Sequence, residues 1–363
     1  MKSIFRKDIH TLATYVPGKP IDLVQRKLGI RKVIKLASNE NAFGTSKKAK
    51  DAIKRSLDKI FLYPDGSCYY LKNKLAKRLG LKADNLIFGN GSDELIDIII
   101  KTFLNPGEEV LTSQTTFVEY EILTKANRFK AKCVPLNKFT YDLVTLKNNI
   151  NKKTKVIFIA NPNNPTGTYV NSAKLIGFIN SIKNNILIVI DEAYLEFVEA
   201  KDYPKAVKLI NSRNVIILRT FSKAYGLAGL RVGYAIARPS FIKEMERIRQ
   251  PFNVNFLAQK AALAALDDSA FISRTSSIIK KERTWLYREL DKLNIEYIPS
   301  QANFVMFKTK MSGLSLCKNL LKKGIIVRDL EQYKLKNYVR VTIGKPKENT
   351  LFIKKLKEIL RSS

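Results

Sequence analysis

The chain predicts an α/β protein: a large domain with a mostly parallel sheet flanked by helices, plus a smaller α+β C-terminal domain. Three observations carry this. Between about residues 86 and 237, strand-length apolar runs alternate with helical stretches. The runs are apolar without a break, as in Ile186-Leu187-Ile188-Val189-Ile190, which suits a sheet covered on both faces. The length of 363 residues exceeds the usual size of one domain.

Taken in order, the first 32 residues, with Pro17-Gly18-Lys19-Pro20, read as an arm. The large domain is expected over 33–250 and the small one over 251–363. Leu86-Ile87-Phe88 leads into Gly89-Asn90-Gly91-Ser92 and a helix from Asp93 to Leu104. Val156 to Ala160 ends in Asn161-Pro162-Asn163-Asn164-Pro165-Thr166-Gly167. Ile186 to Ile190 ends in Asp191-Glu192-Ala193-Tyr194, and Val215 to Leu218 in Arg219-Thr220-Phe221-Ser222-Lys223. In open α/β sheets ligands sit beyond the carboxyl ends of the strands, and these polar clusters fall there. From about residue 241 the pattern turns helical up to Leu293. Short strands follow at Phe304–Phe307 and Val339–Ile343, before a Lys-rich terminal helix.

Composition narrows the function. Cys68, Cys133 and Cys317 are far apart and form no CxxC pair, so neither a disulfide framework nor a thiolate metal site is indicated. One histidine, His10, leaves little for a Ser-His-Asp hydrolase, and lysine becomes the natural proton carrier. The net charge of +33 invites a nucleic-acid reading. Its lysines and arginines, however, are spread along the chain and mixed with acids, as on a solvated surface. No apolar run approaches a membrane span, and Met1 to His10 lacks a secretory signal's apolar stretch. A cytoplasmic protein with small-molecule partners, and with neither nucleic acid nor membrane as partner, is expected.

The segment Thr220-Phe221-Ser222-Lys223-Ala224-Tyr225-Gly226-Leu227-Ala228-Gly229-Leu230-Arg231 places one lysine at a strand end, hydroxyls before it and an arginine after it. A lysine held there can lose its proton and attack an aldehyde, forming a Schiff base. The hydroxyls and Arg231 can hold a phosphate, and the glycines let backbone come close. Asp191, at the end of a very apolar strand, needs a cationic partner, which a pyridinium nitrogen would supply. Tyr194 lies within one turn of it. Asn164 sits in a Pro-rich loop, where plain turn chemistry is the ordinary reading. Gly91, Ser92 and Asp93 open a helix whose free N–H groups bind phosphate well, although Ser92 also reads as an N-cap. Phe117 and Tyr120 are candidates for stacking on a flat ring, though core packing is the commoner role.

Together these segments resemble the fold-type I, class I/II pyridoxal-phosphate-dependent aminotransferases over nearly the whole chain. The resemblance starts at Tyr15-Val16-Pro17-Gly18-Lys19-Pro20 and Ser38-Asn39-Glu40-Asn41. It runs through Tyr63-Pro64-Asp65 and the segments above to Pro251-Phe252-Asn253-Val254-Asn255, Gly324 to Arg328 and Arg340 to Gly344. The arm and Pro-Phe-Asn-Val-Asn narrow it to the branch acting on histidinol phosphate. The resemblance implies pyridoxal 5'-phosphate joined to Lys223, with Asp191 on its ring nitrogen and Tyr194 and Asn164 on its ring hydroxyl oxygen. Phe117 would stack on the ring, and Tyr120 keeps the same motif's tyrosine. Ser222, Arg231 and the backbone of Gly91, Ser92 and Asp93 would hold the cofactor phosphate, joined by Tyr63 from the neighbouring subunit of a homodimer. Arg340 would grip the substrate anion, with Tyr15, Asn41 and Arg328 beside it. A phosphorylated amino alcohol and 2-oxoglutarate or glutamate would be the substrates, in histidine biosynthesis. The chain departs from the family at Thr115, Ala42 and Thr45, where proline is usual. A broad aromatic aminotransferase and a threonine-phosphate decarboxylase share most of the constellation. A basic nucleic-acid-binding protein is the alternative of another class.

Overall fold

The structure is a computed structural model and describes residues 4–14 and 17–361. Strand β1 (Ile34–Lys35) lies ahead of a seven-stranded sheet. That sheet is made of β2 (Leu86–Gly89), β3 (Glu109–Ser113), β4 (Lys130–Val134), β5 (Thr154–Ala160), β6 (Leu187–Asp191), β7 (Val215–Thr220) and β8 (Gly233–Ile236). The spatial order is β2-β8-β7-β6-β5-β3-β4. The neighbours from β4 through β7 pair in parallel, and β8 runs antiparallel to both β7 and β2. Every residue of β2, β3 and β6 is buried, which is what uninterrupted apolar runs require of helices on both faces. The expected α/β class is therefore the observed one.

A second sheet contains β9 (Tyr297–Ile298), β10 (Phe304–Lys308), β12 (Arg328–Asp329) and β13 (Tyr338–Thr342), in the order β12-β13-β10-β9 and wholly antiparallel; β11 (Ile325–Ile326) pairs instead with β1, in parallel. The N-terminal segment thus joins the C-terminal part of the fold, and Leu36 is buried in its core beside Phe304, Val341 and Ile343. The large-sheet core extends past the boundary drawn at 250: Ala258, Ala261, Ala262 and Ala265 of the helix Phe256–Ala265 belong to it. Packing passes between the cores along the long helix Ser269–Asp291, where Ile272 touches both and Ile279, Leu286 and Leu290 lie in the second.

The Pro-Phe-Asn-Val-Asn motif has a structural task. Asn253 donates to the Phe88 carbonyl at 3.1 Å and to Glu94 at 2.6 Å. Asn255 caps its helix by accepting from the Ala258 N–H at 2.8 Å and donates to the Leu230 carbonyl at 3.0 Å. One short segment so ties the end of β2, the first turn of the helix Ser92–Phe103 and the loop before Arg231. Among the described residues no helix is long and apolar enough to cross a membrane.

Candidate active site

The carboxyl ends of β2, β5, β6 and β7 converge on a cavity of about 370 Å³. Asp191 ends β6 and is 6% exposed. Its Oδ2 accepts from the Tyr120 hydroxyl at 2.7 Å and its Oδ1 from the Ala193 N–H at 3.0 Å. Burial pushes this carboxyl up to about 6, against the pull of those two hydrogen bonds, and the charges of Asp93 and Glu192 raise it further. Tyr120 is wholly buried. Its ring stacks on Phe158 at 4.7 Å and meets Phe117 edge-on at 5.6 Å, which fixes the hydroxyl under Asp191. Glu192, the next residue, is buried against Arg219 of β7 at 2.8 Å, so among the described residues two adjacent buried acids are held with one ion pair between them.

Lys223 lies three residues past the end of β7, in a turn where the Ser222 N–H donates to Thr220 Oγ1 at 3.1 Å. Its Nζ donates to the Ser38 carbonyl at 3.4 Å and lies 5.8 Å from the centroid of the Tyr194 ring. Gly226 supports the turn at φ +68°, and a Cβ there would run into the Gly44 carbonyl. Thr45, standing where the family has proline, donates to the Gly226 carbonyl at 2.7 Å and closes the same contact.

The helix Ser92–Phe103 starts at this end of β2. Its first N–H groups have no partner within the helix, and they line a positive terminus. Gly91, at φ +84°, leaves room that a Cβ would take from the Arg231 guanidinium, which pairs with Asp93 at 2.8 Å. Ser222, Ser92, Asp93 and Arg231 all line the cavity.

A second wall comes from the chain's two ends. Asn39, in the left-handed region at φ 55°, donates its N–H to Thr342 Oγ1 at 2.9 Å and its amide to the Tyr194 hydroxyl at 3.0 Å. Burial pushes the Tyr194 hydroxyl up to about 12, while Arg340 and the Asn39 bond pull it down. Arg340, on β13 and 6% exposed, donates Nη1 to Asn164 Oδ1 and Nη2 to the Ala37 carbonyl at 2.8 Å. Among the described residues its buried Nε has no hydrogen-bond partner. Arg328 faces Arg340 in the register of β12 with β13 and also lines the cavity.

Of the residues expected from sequence, the cavity brings together Ser92, Asp93, Phe117, Tyr120, Asn164, Asp191, Tyr194, Ser222, Lys223, Arg231, Arg328 and Arg340. Gly91 stands just behind Arg231. Asn41 is turned away: its amide donates to the Ala224 carbonyl at 2.8 Å and accepts from the Phe43 N–H at 2.9 Å. Asn39, two residues earlier, takes the place in the wall, because asparagine tolerates the positive φ that turns the chain there. Tyr63 is 81% exposed, stacked on Phe252 at 4.8 Å, and does not line its own chain's cavity. Tyr15 lies outside the described residues. Ser38, Asn39, Glu119 and Tyr333, which the sequence did not single out, also line the cavity, as does Thr220. For Thr220 the signal was present, as the hydroxyl two residues before Ser222. Tyr333 carries no local motif.

The comparisons with known proteins agree with this geometry. The family described as aminotransferase class I and II matches residues 31–356. The histidinol-phosphate aminotransferase of Moorella thermoacetica is 45% identical over 98% of this chain and 92% of its own. That of Caldicellulosiruptor saccharolyticus is 46% identical over 98% of this chain and all of its own. Among solved structures, the histidinol-phosphate aminotransferase of Sinorhizobium meliloti in complex with pyridoxal-5'-phosphate superposes with a TM-score of 0.91 at 27% identity, covering 100% of this chain and 99% of that one. With a match that spans most of its length and relatives this similar, the chain belongs to the class I and II aminotransferase family.

Proposed function

We propose that the protein transfers the amino group of histidinol phosphate to 2-oxoglutarate, as a step of histidine biosynthesis, with pyridoxal phosphate bound at Lys223. The observation that carries the reading is a pair of buried charges in one cavity, Asp191 and Arg340, neither with an ion-pair partner among the described residues. A buried charge held only by neutral groups is costly until a ligand of opposite sign arrives. A protonated ring nitrogen answers Asp191, and a phosphate or carboxylate answers Arg340. The room that Gly91 leaves for Arg231 beside a helix N-terminus suits the cofactor phosphate. The residues present therefore fit the group.

Pyridoxal phosphate, when bound, supplies an aldehyde that joins an amine and a protonated ring that draws electrons from the bond being broken. Asp191 keeps the proton on the ring nitrogen, and the Tyr120 hydroxyl keeps Asp191 aimed and anionic. Tyr194 and Asn164 would hold the ring hydroxyl oxygen by hydrogen bonds, and Phe117 would pack against the ring. Ser222, Arg231 and the N–H groups of Gly91, Ser92 and Asp93 hold the phosphate. Lys223 Nζ would take the proton from the donor's α-carbon and deliver it to the carbon that had carried the cofactor's aldehyde. Arg340 and Arg328 grip the donor's phosphate and, in the second half of the cycle, a carboxylate of 2-oxoglutarate. Arginine suits both because its planar fork binds either anion bidentately. Tyr15 belongs to the same proposal as a further substrate contact, whereas Asn41, tied to Ala224 and Phe43, shapes the turn beside the site.

The working unit is a homodimer in the cytoplasm. Leu57, Ile60, Phe61, Leu62, Tyr63, Tyr69, Tyr70 and Phe252 are all exposed, a set of large apolar and aromatic side chains of the kind that marks a protein–protein contact. A second copy covers it and receives Tyr63 at its cofactor phosphate. Three free cysteines suit a reducing compartment. By function the chain divides into an arm (1–32), a cofactor-holding part (33–250) and a C-terminal part (251–363) that contributes the anion grip.

The test follows the visible absorbance of the protein loaded with pyridoxal phosphate. Histidinol phosphate should bleach the band of the lysine-bound cofactor, and 2-oxoglutarate should restore it. Bleaching by phenylalanine alone would make the protein an aromatic aminotransferase. Carbon dioxide release from threonine phosphate would make it a decarboxylase. Folded protein that takes up no cofactor would overturn the reading.

A further inference from the structure

Four carboxylates line the cavity: Glu40, Asp93, Glu119 and Asp191. Three are answered within the structure. Glu40 pairs with Lys35 at 2.7 Å, Asp93 with Arg231 at 2.8 Å, and Asp191 accepts from Tyr120 and the Ala193 N–H. Glu119 differs. It is half-buried, two residues after Phe117 and next to Tyr120, yet among the described residues its carboxylate accepts no hydrogen bond and joins no ion pair. Burial and the neighbouring charge of Asp93 both oppose its ionisation. The rest of the cavity is built to attract anions, through Lys223, Arg231, Arg328 and Arg340. An idle acid there serves neither the cofactor phosphate nor the donor phosphate.

We propose that Glu119 accepts a hydrogen bond from a ring N–H of the amino donor, and so selects an imidazole ring over a phenyl ring. This rests on the function proposed above and names a residue that sets its specificity. The donor carries an anion at one end and a heteroaromatic ring at the other. Arg340 and Arg328 answer the anion, and the ring must bring its N–H into the same cavity, where an unmet donor is costly. A carboxylate facing imidazole also favours the protonated ring, whose ordinary pKa lies near neutrality. A phenyl ring offers Glu119 nothing and leaves it buried and unpaired. Sites built to hydrogen-bond a substrate N–H reject analogues without one far more strongly than apolar pockets reject a misfit in size. The ordinary alternative is that Glu119, as the first residue of the helix Glu119–Ala126, only favours the helix N-terminus.

The experiment compares histidinol phosphate with 2-amino-3-phenylpropyl phosphate, which has the same amine and phosphate but no ring N–H. The kcat/KM of each is measured on the cofactor-loaded dimer. The dissociation constant of each is measured by calorimetry in a Lys223→Ala background, where turnover does not interfere. Glu119→Leu should lower the preference for imidazole by about 10- to 100-fold in both measurements, the range for a hydrogen bond to a charged group. Glu119→Gln, which keeps an acceptor oxygen without the charge, should lower it less. A preference within twofold of wild type in both variants, with only the melting temperature changed, would assign Glu119 to the helix terminus and overturn the proposal. A wild type that accepts neither donor would overturn the proposed function itself, and is recognised before any variant is made.

Discussion

Asp191 and Arg340 are equally buried, 6% exposed each, but the regions that hold them are built differently. Asp191 stands in the floor. Its strand is pinned on both sides, with Ala160 of β5 and Leu218 of β7 as register neighbours, and one of its two hydrogen-bond donors is only two residues away. Arg340 stands in the wall. Its acceptors are Ala37, 303 residues distant, and Asn164, 176 residues distant. Consecutive β-α units make the floor, so it is a scaffold in its own right. The wall exists only because the chain's two ends come together across the second core. The floor should therefore tolerate disturbance of the wall, while the wall should report any shift between the two cores.

The sharpest test of the floor is Lys223→Ala. It removes the amine proposed to carry the proton and should cut turnover by at least ~10⁴-fold, the upper range for a positioned acid–base group. Cofactor should still bind, in a form that dialysis removes. Turnover within tenfold of wild type would dismiss the assignment of Lys223. Asp191→Asn comes next, with a loss of roughly 10³-fold in kcat, and its pH behaviour is diagnostic. The carboxyl is raised by burial from 3.8 to about 6 in the folded chain. The folded protein thus holds this proton more tightly than the unfolded chain does. Its contribution to the stability of the cofactor-free protein is present below pH 4 and is lost as pH rises towards 6, by roughly 3 kcal/mol. Urea unfolding of the cofactor-free protein across that window should show the slope, and Asp191→Asn should flatten it. Loading with cofactor should flatten it too, by supplying a cation. A slope unchanged in Asp191→Asn would mean that another acid, such as Glu196, also pushed up by burial, to about 7, is responsible.

For the wall, Arg340→Met should lower kcat/KM about 10²- to 10³-fold for both histidinol phosphate and 2-oxoglutarate, as loss of a buried, hydrogen-bonded charge on an anion does. Binding of the cofactor should change less, since Arg340 acts on it through its bond to Asn164. If only one of the two substrates suffers, the shared anion grip is disproved and Arg328 becomes the residue to test against the other.

The same contrast explains what was legible in the sequence. Asp191, Lys223, Ser222 and Asn164 could be found because an apolar run followed by a polar cluster marks a strand's carboxyl end, and in an α/β sheet that end is the site. The wall offered no such local cue. Arg340 and Arg328 were recognised only through the family resemblance, and nothing local distinguished Asn39 from Asn41 within Ser38-Asn39-Glu40-Asn41. Which asparagine turns inward is decided by the positive φ at 39 and by Thr342, far along the chain. The reach of the first core past residue 250 was hidden for a similar reason. The helix Phe256–Ala265 has the look of the helical region that follows it, and only its alanines against the helices Lys47–Lys54 and Tyr69–Leu79 assign it to the large sheet's side. Local pattern gives elements and strand ends; closure between distant segments is a property of packing.

Thr342 offers the mildest way to test that closure. Its hydroxyl accepts from the Asn39 N–H at 2.9 Å and donates to Asn39 Oδ1 at 3.1 Å, both inside the buried seam between the chain's ends. Thr342→Val keeps the volume and removes both bonds, leaving a buried N–H unmet at a residue already held at positive φ. The expected cost is about 1–3 kcal/mol in unfolding free energy. Asn39 should then orient Tyr194 less well, since its amide is the donor to that hydroxyl. Because Tyr194 is proposed to hold the cofactor's ring oxygen, cofactor affinity should fall slightly, while KM for histidinol phosphate should rise a few-fold through the Ala37–Arg340 side of the same seam, with kcat nearly kept. If cofactor affinity falls as much as substrate affinity does, the floor is not independent of the wall. The two regions would then have to be treated as one cooperative unit, with Asn39 as its link.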